Sequence, residues 1–247
     1  MTKSINNEKK EVALDPDLKW KSESDKIVLY MDIMGFKEKV KKTEFTKLQN
    51  EFETLCKSWK RRTSPLHIGD HVRDIQFSDS IILVSDSADD DALNRIVIAG
   101  MVIMQEAMKM GFPINGAIAV GKFSFDKENN ISFGQALVDA YLMQTSLFYY
   151  GIAVQPSAED LVRKAKRAKQ YISKMPIPLK GGYADHYQIN WNLIGNKYDY
   201  CDRTSEVMKF LDAVEVGTTG NPRIYVENTR MIVSAIQKEF NPKIVRK

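Results

Sequence analysis

Residues 27–40 read IVLYMDIMGFKEKV, and the order of residue types in this stretch decides how the rest of the chain is read. Ile27 to Tyr30 are apolar or aromatic, the composition of a buried strand. Asp32 interrupts that run, and the chain passes through Gly35 into the helical spacing of Val40, Phe45, Leu48, Phe52, Leu55 and Trp59, a single amphipathic helix to about residue 60. A carboxylate at the joint of a buried strand and a helix needs a partner. Asp32 is either the N-cap of that helix or a ligand of a cation.

A second acidic residue stands further on. HVRDIQF (71–77) and SIILVS (80–85) are β-rich runs that meet at Ser78 and Asp79, a hairpin with the acid at its tip. The acidic run 86–91 opens a second helix, where it suits the positive end of the dipole, and Gly111 stops it. Met101, Met104 and Met108 on that helix read as core packing. INGAIAVGKFSF (114–125) and NISFG (130–134) read as strands, 135–150 as a helix, GIAVQPS (151–157) as a strand and 159–174 as a helix. This order is that of an α+β, ferredoxin-like split βαβ unit, an antiparallel sheet against helices on one face.

In that unit the first strand and the hairpin are neighbours, so Asp32 and Asp79 face a common point. With the carbonyl of Ile33 they make an all-oxygen site suited to Mg²⁺ or Mn²⁺, as one ion or a pair. Gly35 lets the backbone approach a ligand closely, and the N–H groups of Gly35, Phe36 and Lys37 open the helix toward phosphate oxygens.

The chain has 247 residues, 43% of them hydrophobic, with 36 basic and 32 acidic side chains and a net charge of +4. So even a balance gives no reason to expect a nucleic-acid polymer as partner. The basic runs 57–62 and 163–169 read as solvated helix faces. Cys56 and Cys201 stand far apart, which argues against a zinc site or disulfide framework and fits a reducing, cytoplasmic setting. His67, His71 and His186 lack metal-ligand spacing, and no GxSxG, GxxxxGK[ST] or GxGxxG occurs. No apolar run approaches the roughly 18–20 residues of a membrane span, so no membrane insertion is expected. The expected organisation is an N-terminal arm (1–25) anchored by Trp20, a core (26–192) ending in the strand INW with Trp191 buried, and a helical extension (193–247) of the same domain. Its helices are expected at about 201–215 and 222–239, with Pro222 in a first turn.

YMDIMGF, FSDSIIL, INGAIAVG, ISFGQALVDAY and LKGGYADHYQINW occur in the order and at about the spacing of the catalytic domain of class III nucleotide cyclases. The compact form, with its C-terminal IYVENT, resembles the small bacterial pyrimidine cyclases of the Pycsar antiphage systems. That resemblance implies a head-to-tail homodimer that converts a nucleoside triphosphate to its 3′,5′-cyclic monophosphate and pyrophosphate with two metal ions. Asp32 and Asp79 would be catalytic and hold the metals, Ile33 would lend its carbonyl, and Lys180, in LKGGYADHY, would meet the triphosphate. Gly35, Phe36 and Lys37 would bind the substrate's phosphates. The product would be read by a separate effector.

The departures from the family pattern matter equally. Val138 and Leu142 fall where the family has an asparagine and an arginine that stabilise the transition state, and neither donates a hydrogen bond. Ile75 and Ile131 fall where purine edges are read, and apolar side chains there would leave purine polar groups unpaired. Asn115 stands where an arginine is common, as a strand-edge amide or as a reader of uracil or cytosine. UTP is favoured over CTP as substrate, with the base left open. The alternatives are a weak or inactive homologue that binds nucleotide as a scaffold, and a purine cyclase. A diguanylate cyclase or polymerase palm would share the paired acids, but the hairpin reads FSDS rather than GGDEF.

Overall fold

The computed structural model describes residue 20 and residues 24–126, 129, 131–196, 199–216 and 218–244. Strand β1 (Asp25–Ile33) leads into two helices, α1 (Phe36–Lys42) and α2 (Phe45–Thr63), and then into the hairpin β2 (Val72–Phe77) and β3 (Ser80–Ser85). Helix α3 (Asp90–Lys109), β4 (Ile114–Asp126), β5 (Ile131–Gly134), α4 (Gln135–Ser146), β6 (Ile152–Val154) and α5 (Pro156–Lys164) follow. The rest is β7 (Ile172–Leu179), β8 (Gly182–Ile189), the ribbon β9 (Leu193–Asn196) and β10 (Asp199–Asp202), α6 (Thr204–Glu215) and α7 (Asn221–Ile244).

The main sheet runs β2-β3-β1-β4-β6-β8-β7, with β5 paired to β4. β1 is antiparallel to both β3 and β4, so β4-β1-β3-β2 is the split βαβ unit expected from the sequence. The β4–β6 pair is parallel.

Strand β1 is apolar on both faces, and this sets the layering. Ile27, Leu29, Met31 and Ile33 pack with Leu48, Leu55 and Trp59 of α2 and Leu93, Ile96 and Val97 of α3. Met101, Met104 and Met108 are buried in the same cluster. On the opposite face Val28, Ile82, Val84 and Ala119 meet Ala136 and Ala140 of α4. Further along that face Ala117, Ala153 and Ile177 are covered by Ile232, Ile236 and Phe240 of α7. Helices therefore lie on both faces rather than one, because both faces carry apolar rows that must be buried. Trp20 is 1% exposed, in the α4-side cluster; the other residues of the expected arm up to 23 lie outside the described residues.

Three further expectations are corrected. The helix expected to run unbroken to residue 60 is broken at Thr43, because the Glu44 carboxylate accepts hydrogen bonds from the N–H groups of Thr46 (2.9 Å) and Lys47 (2.8 Å) and starts a new helix. The helix expected over 159–174 stops at Lys164, and Ile172–Leu179 is a strand paired with β8. Pro176 and Pro178 hide that strand in the sequence; they are tolerated because β7 is the edge of the sheet. The helix expected from 201 starts at Thr204, after the β9–β10 ribbon.

The basic run 57–62 lies on the surface of α2, with Lys57 paired to Glu53, Lys60 to Asp74 and Arg62 to Glu106, whereas the run 163–169 leaves α5 after Lys164 and Arg167 pairs with Asp91 from the bend that follows. In the acidic run, Asp89 caps α3 by accepting from the Ala92 N–H at 2.8 Å.

Candidate active site

Asp32 is the penultimate residue of β1, held between two strands: it lies opposite Ser80 of β3 and Asn115 of β4. The Ile33 N–H donates to the carbonyl of Asp79 at 3.0 Å, which ties the hairpin tip to the end of β1. Ser78 turns the tip with a left-handed φ of 55°. The topology thus brings the two acids, 47 positions apart in the chain, to one point of the sheet.

The electrostatics agree with that placement. Burial pushes the Asp32 carboxyl from 3.8 to about 6, the nearby charge of Asp79 pushes the same way, and a hydrogen bond with Ser80 partly offsets both. The Ser80 hydroxyl also lies 2.7 Å from that of Tyr30. Asp32, whose ionised form Asp79 disfavours, together with Asp79 and the Ile33 carbonyl, forms the oxygen-only donor set that a small divalent cation would satisfy. Among the described residues no group of three or more His, Cys, Asp or Glu side chains forms a metal site, so the fit rests on these two acids and the Ile33 carbonyl.

Asp32 is not the helix cap. Gly35 takes the cap position of α1, with φ of 74° and no side-chain hydrogen bond. A Cβ placed there would meet nothing within 4 Å, so the turn faces open space. Phe36 turns its ring inward against Phe52, with centroids 5.0 Å apart, and what it can offer a ligand is its amide. Lys37 is exposed on α1. Lys180 sits at the β7–β8 turn, where its N–H donates to the Ser146 carbonyl at 2.8 Å, and it lines the same cleft of about 920 Å³ as Gly35.

Of the other residues singled out in the sequence, Asn115 lies beside Asp32 but is bonded elsewhere, and the rest are not brought to this point. Asn115 is 1% exposed; its Oδ1 accepts from Gln144 Nε2 of α4 at 2.8 Å, and its Nδ2 has no partner. Ile75 lies opposite Ile82 in the row that contains Tyr30, packed in the α4-side cluster. Ile131 is 51% exposed on β5, opposite Asp126, roughly 35 Å of strand along β4 from Asn115 at about 3.3 Å per residue. Val138 and Leu142 are 50% and 57% exposed on α4. Between them Tyr141 meets Tyr30 edge-on with centroids 5.5 Å apart.

Four residues near the site escape sequence reasoning: Tyr30, Ser80, Lys42 and Tyr225. Burial raises the Tyr225 hydroxyl, and the charge of Asp32 contributes, so α7 reaches the acidic pair. The signal was present in IYVENT, where Tyr225, Asn228 and Thr229 share one helix face at i, i+3 and i+4.

No family model and no curated protein matches the sequence. Solved structures do. The catalytic core of a rhodopsin-guanylyl cyclase with converted specificity, in complex with ATPalphaS, aligns with a TM-score of 0.53 at 15% identity, covering 67% of this chain and 95% of that one. The guanylate cyclase domain of RhGC from Catenaria anguillulae, in complex with GTP, gives 0.53 at 14% identity, covering 68% and 96%. A bacterial light-regulated adenylyl cyclase gives 0.51 at 13% identity, covering 76% and 56%. At such identities the likeness establishes architecture: the chain has the fold of class III nucleotide cyclase catalytic domains.

Proposed function

We propose that the chain is a divalent-metal-dependent nucleotidyl cyclase that converts a nucleoside triphosphate to its 3′,5′-cyclic monophosphate and pyrophosphate. The observation that carries this reading is the meeting of Asp32 and Asp79 at the end of β1, where the charge of Asp79 opposes ionisation of Asp32, on the fold of the cyclase domains. Asp32, Asp79 and the Ile33 carbonyl would hold Mg²⁺ or Mn²⁺. When bound, such ions lower the pKa of an attacking hydroxyl and stabilise charge on the leaving oxygens.

The chain's own groups supply the rest. Ser80 orients the Asp32 carboxyl, and Tyr30 in turn fixes Ser80. The amides of Phe36 and Lys37 precede the first helical hydrogen bond of α1, from the Glu38 N–H to the Gly35 carbonyl at 3.1 Å, and are available to phosphate oxygens. Lys180 places an ammonium in the cleft beside them, positioned to offset charge on the departing pyrophosphate.

The favoured substrate is UTP, then CTP, on the sequence resemblance alone, in which apolar Ile75 and Ile131 align with the positions that read purine edges; within this chain neither is brought to the acidic pair. The neighbours with GTP and an ATP analogue make purines the competing choice. The active form is a homodimer: Phe77, Phe133, Val138, Tyr141 and Leu142 are all about half exposed or more, a run of apolar side chains that a second copy would cover. A role in antiphage signalling, with a separate effector reading the product, follows from the sequence resemblance.

Incubating the protein with each of the four triphosphates and Mn²⁺, and identifying products by mass, tests the reading. Cyclic nucleotide that vanishes in Asp79→Ala supports it; turnover retained by that variant sinks the mechanism. A second reading, a nucleotide-binding homologue without turnover, is favoured by Val138 and Leu142 alone, and binding of triphosphate without pyrophosphate release would establish it.

A further inference from the structure

The cleft beside Gly35 has two walls of different origin. One belongs to the sheet and its first helix and carries Gly35, Lys42 and Lys180; the other is the α6–α7 connection, with Thr218, Thr219 and Asn221. At about 920 Å³ the space falls within the range of small-molecule sites, roughly 300–1,000 Å³. Among the described residues neither Lys42 nor Lys180 has an ion-pair partner: the one carboxylate in the lining, Glu38, is bonded to Lys41 instead, at 3.1 Å. Alongside the apolar Met34, Pro113, Phe148 and Val214 of the same lining, two unpaired lysines, two threonines and a carboxamide offer the chemistry that recognises a polyphosphate.

The second wall is fastened to the first. The Tyr225 hydroxyl donates to the Leu147 carbonyl at 2.9 Å, Asn228 Nδ2 donates to the Phe148 carbonyl at 2.7 Å, and the Tyr150 N–H donates to Thr229 Oγ1 at 2.8 Å. Tyr225 also stacks on Tyr150 at 5.4 Å and meets Phe148 edge-on at 4.9 Å. These contacts hold the start of α7, and with it residues 218–221, at a set position beside the acidic pair, as a binding site requires.

We propose that this cleft binds the polyphosphate tail of the substrate between Lys42 and Lys180 on one side and Thr218, Thr219 and Asn221 on the other, within a single chain. The C-terminal helices are then part of the substrate site, and residues 218–221 contact the phosphates that leave as pyrophosphate. This rests on the chain acting on a nucleoside triphosphate.

The test measures the affinity of the full chain, with Mg²⁺, for inorganic tripolyphosphate by calorimetry, alongside KM and kcat for the triphosphate it turns over. Asn221→Asp keeps the shape and the helix-starting character of the residue while setting a negative charge in the wall. Lys42→Gln alters an exposed side chain at the end of α1 and leaves the core untouched. Each is expected to weaken tripolyphosphate binding by about tenfold or more and to raise KM with kcat largely kept. Native affinity in both variants, or no tripolyphosphate binding by the native chain, overturns the proposal even if cyclic product forms. Tripolyphosphate binding that both variants weaken, with no cyclisation of any of the four triphosphates, upholds the cleft and defeats the cyclase reading instead.

Discussion

Replacing Asp32 by Asn keeps the side chain's shape and removes its charge, and the structure says what that is worth. The carboxyl moves from 3.8 to about 6, through burial first and the charge of Asp79 second. At about 1.36 kcal/mol per pH unit this amounts to roughly 3 kcal/mol against the ionised form. Solvent reaches part of the side chain and screens it, so about 1–2 kcal/mol is the expected share. Between the two values the native state keeps a proton that the unfolded chain has lost, so stability from this group falls as pH rises from about 4 and is lowest above about 6. Asp32→Asn is therefore expected to stabilise the metal-free protein at pH 7.5 by about 1–2 kcal/mol, roughly 2–8 °C in Tm for a chain of this size. The gain shrinks to about a third at pH 4.5. Millimolar Mn²⁺ should raise the Tm of the native protein and leave the variant unmoved. Melting curves by circular dichroism, in chelator and in Mn²⁺ across pH 4.5–8, read all of this. A variant that melts at or below the native protein in chelator at pH 7.5, or that still gains from Mn²⁺, refutes the reasoning.

Manganese affinity of the native chain should fall as pH drops below about 6, since protons compete for Asp32; a flat titration between pH 5 and 7 would count against that site. Gly116→Ala should cost about 3 kcal/mol or more, because an added Cβ would sit 2.6 Å from the Tyr30 carbonyl oxygen and 2.8 Å from Met31 Cγ in the middle of the sheet; urea titration reads the loss. Leu142→Asp should leave the fold intact, since the side chain is 57% exposed, yet abolish self-association and cyclisation together. Light scattering that shows the same particle mass for native and variant would remove the dimer from the mechanism. Asn228→Ala should lower stability by about 1 kcal/mol through loss of its bond to the Phe148 carbonyl, measured as a shift in the urea midpoint.

The hairpin at Ser78 and Asp79 was legible because two alternating β-rich runs bracket a two-residue turn, and the pairing of β1 with β3 then follows from topology alone. Asp32 was legible as a misfit, a charge where the strand pattern demands an apolar residue. Strand β7 was not, because Pro176 and Pro178 signal against a strand unless its place at the sheet edge is known. The break between α1 and α2 turns on one carboxylate bonding two amides, a local contest that apolar periodicity does not register. Lys42 and Thr219 lie more than 170 positions apart, and nothing short of packing α7 against the sheet sets them across one cavity. Asn115 shows another case: its place on a strand was readable, but its position beside Asp32 and its capture by Gln144 depend on how β4 and α4 lie against β1.

The packing of Ile232, Ile236 and Phe240 onto Ala117, Ala153 and Ile177 has a consequence for synthesis. The strands beneath that cluster emerge from the ribosome long before residues 232–240 do, so their greasy surface waits uncovered while translation continues. Because those contacts link residues 55 to 123 positions apart, closing them is a late and slow step of folding. A nascent chain stalled near residue 200 would show water a hydrophobic strip that the finished protein hides, and would be a natural client for chaperones.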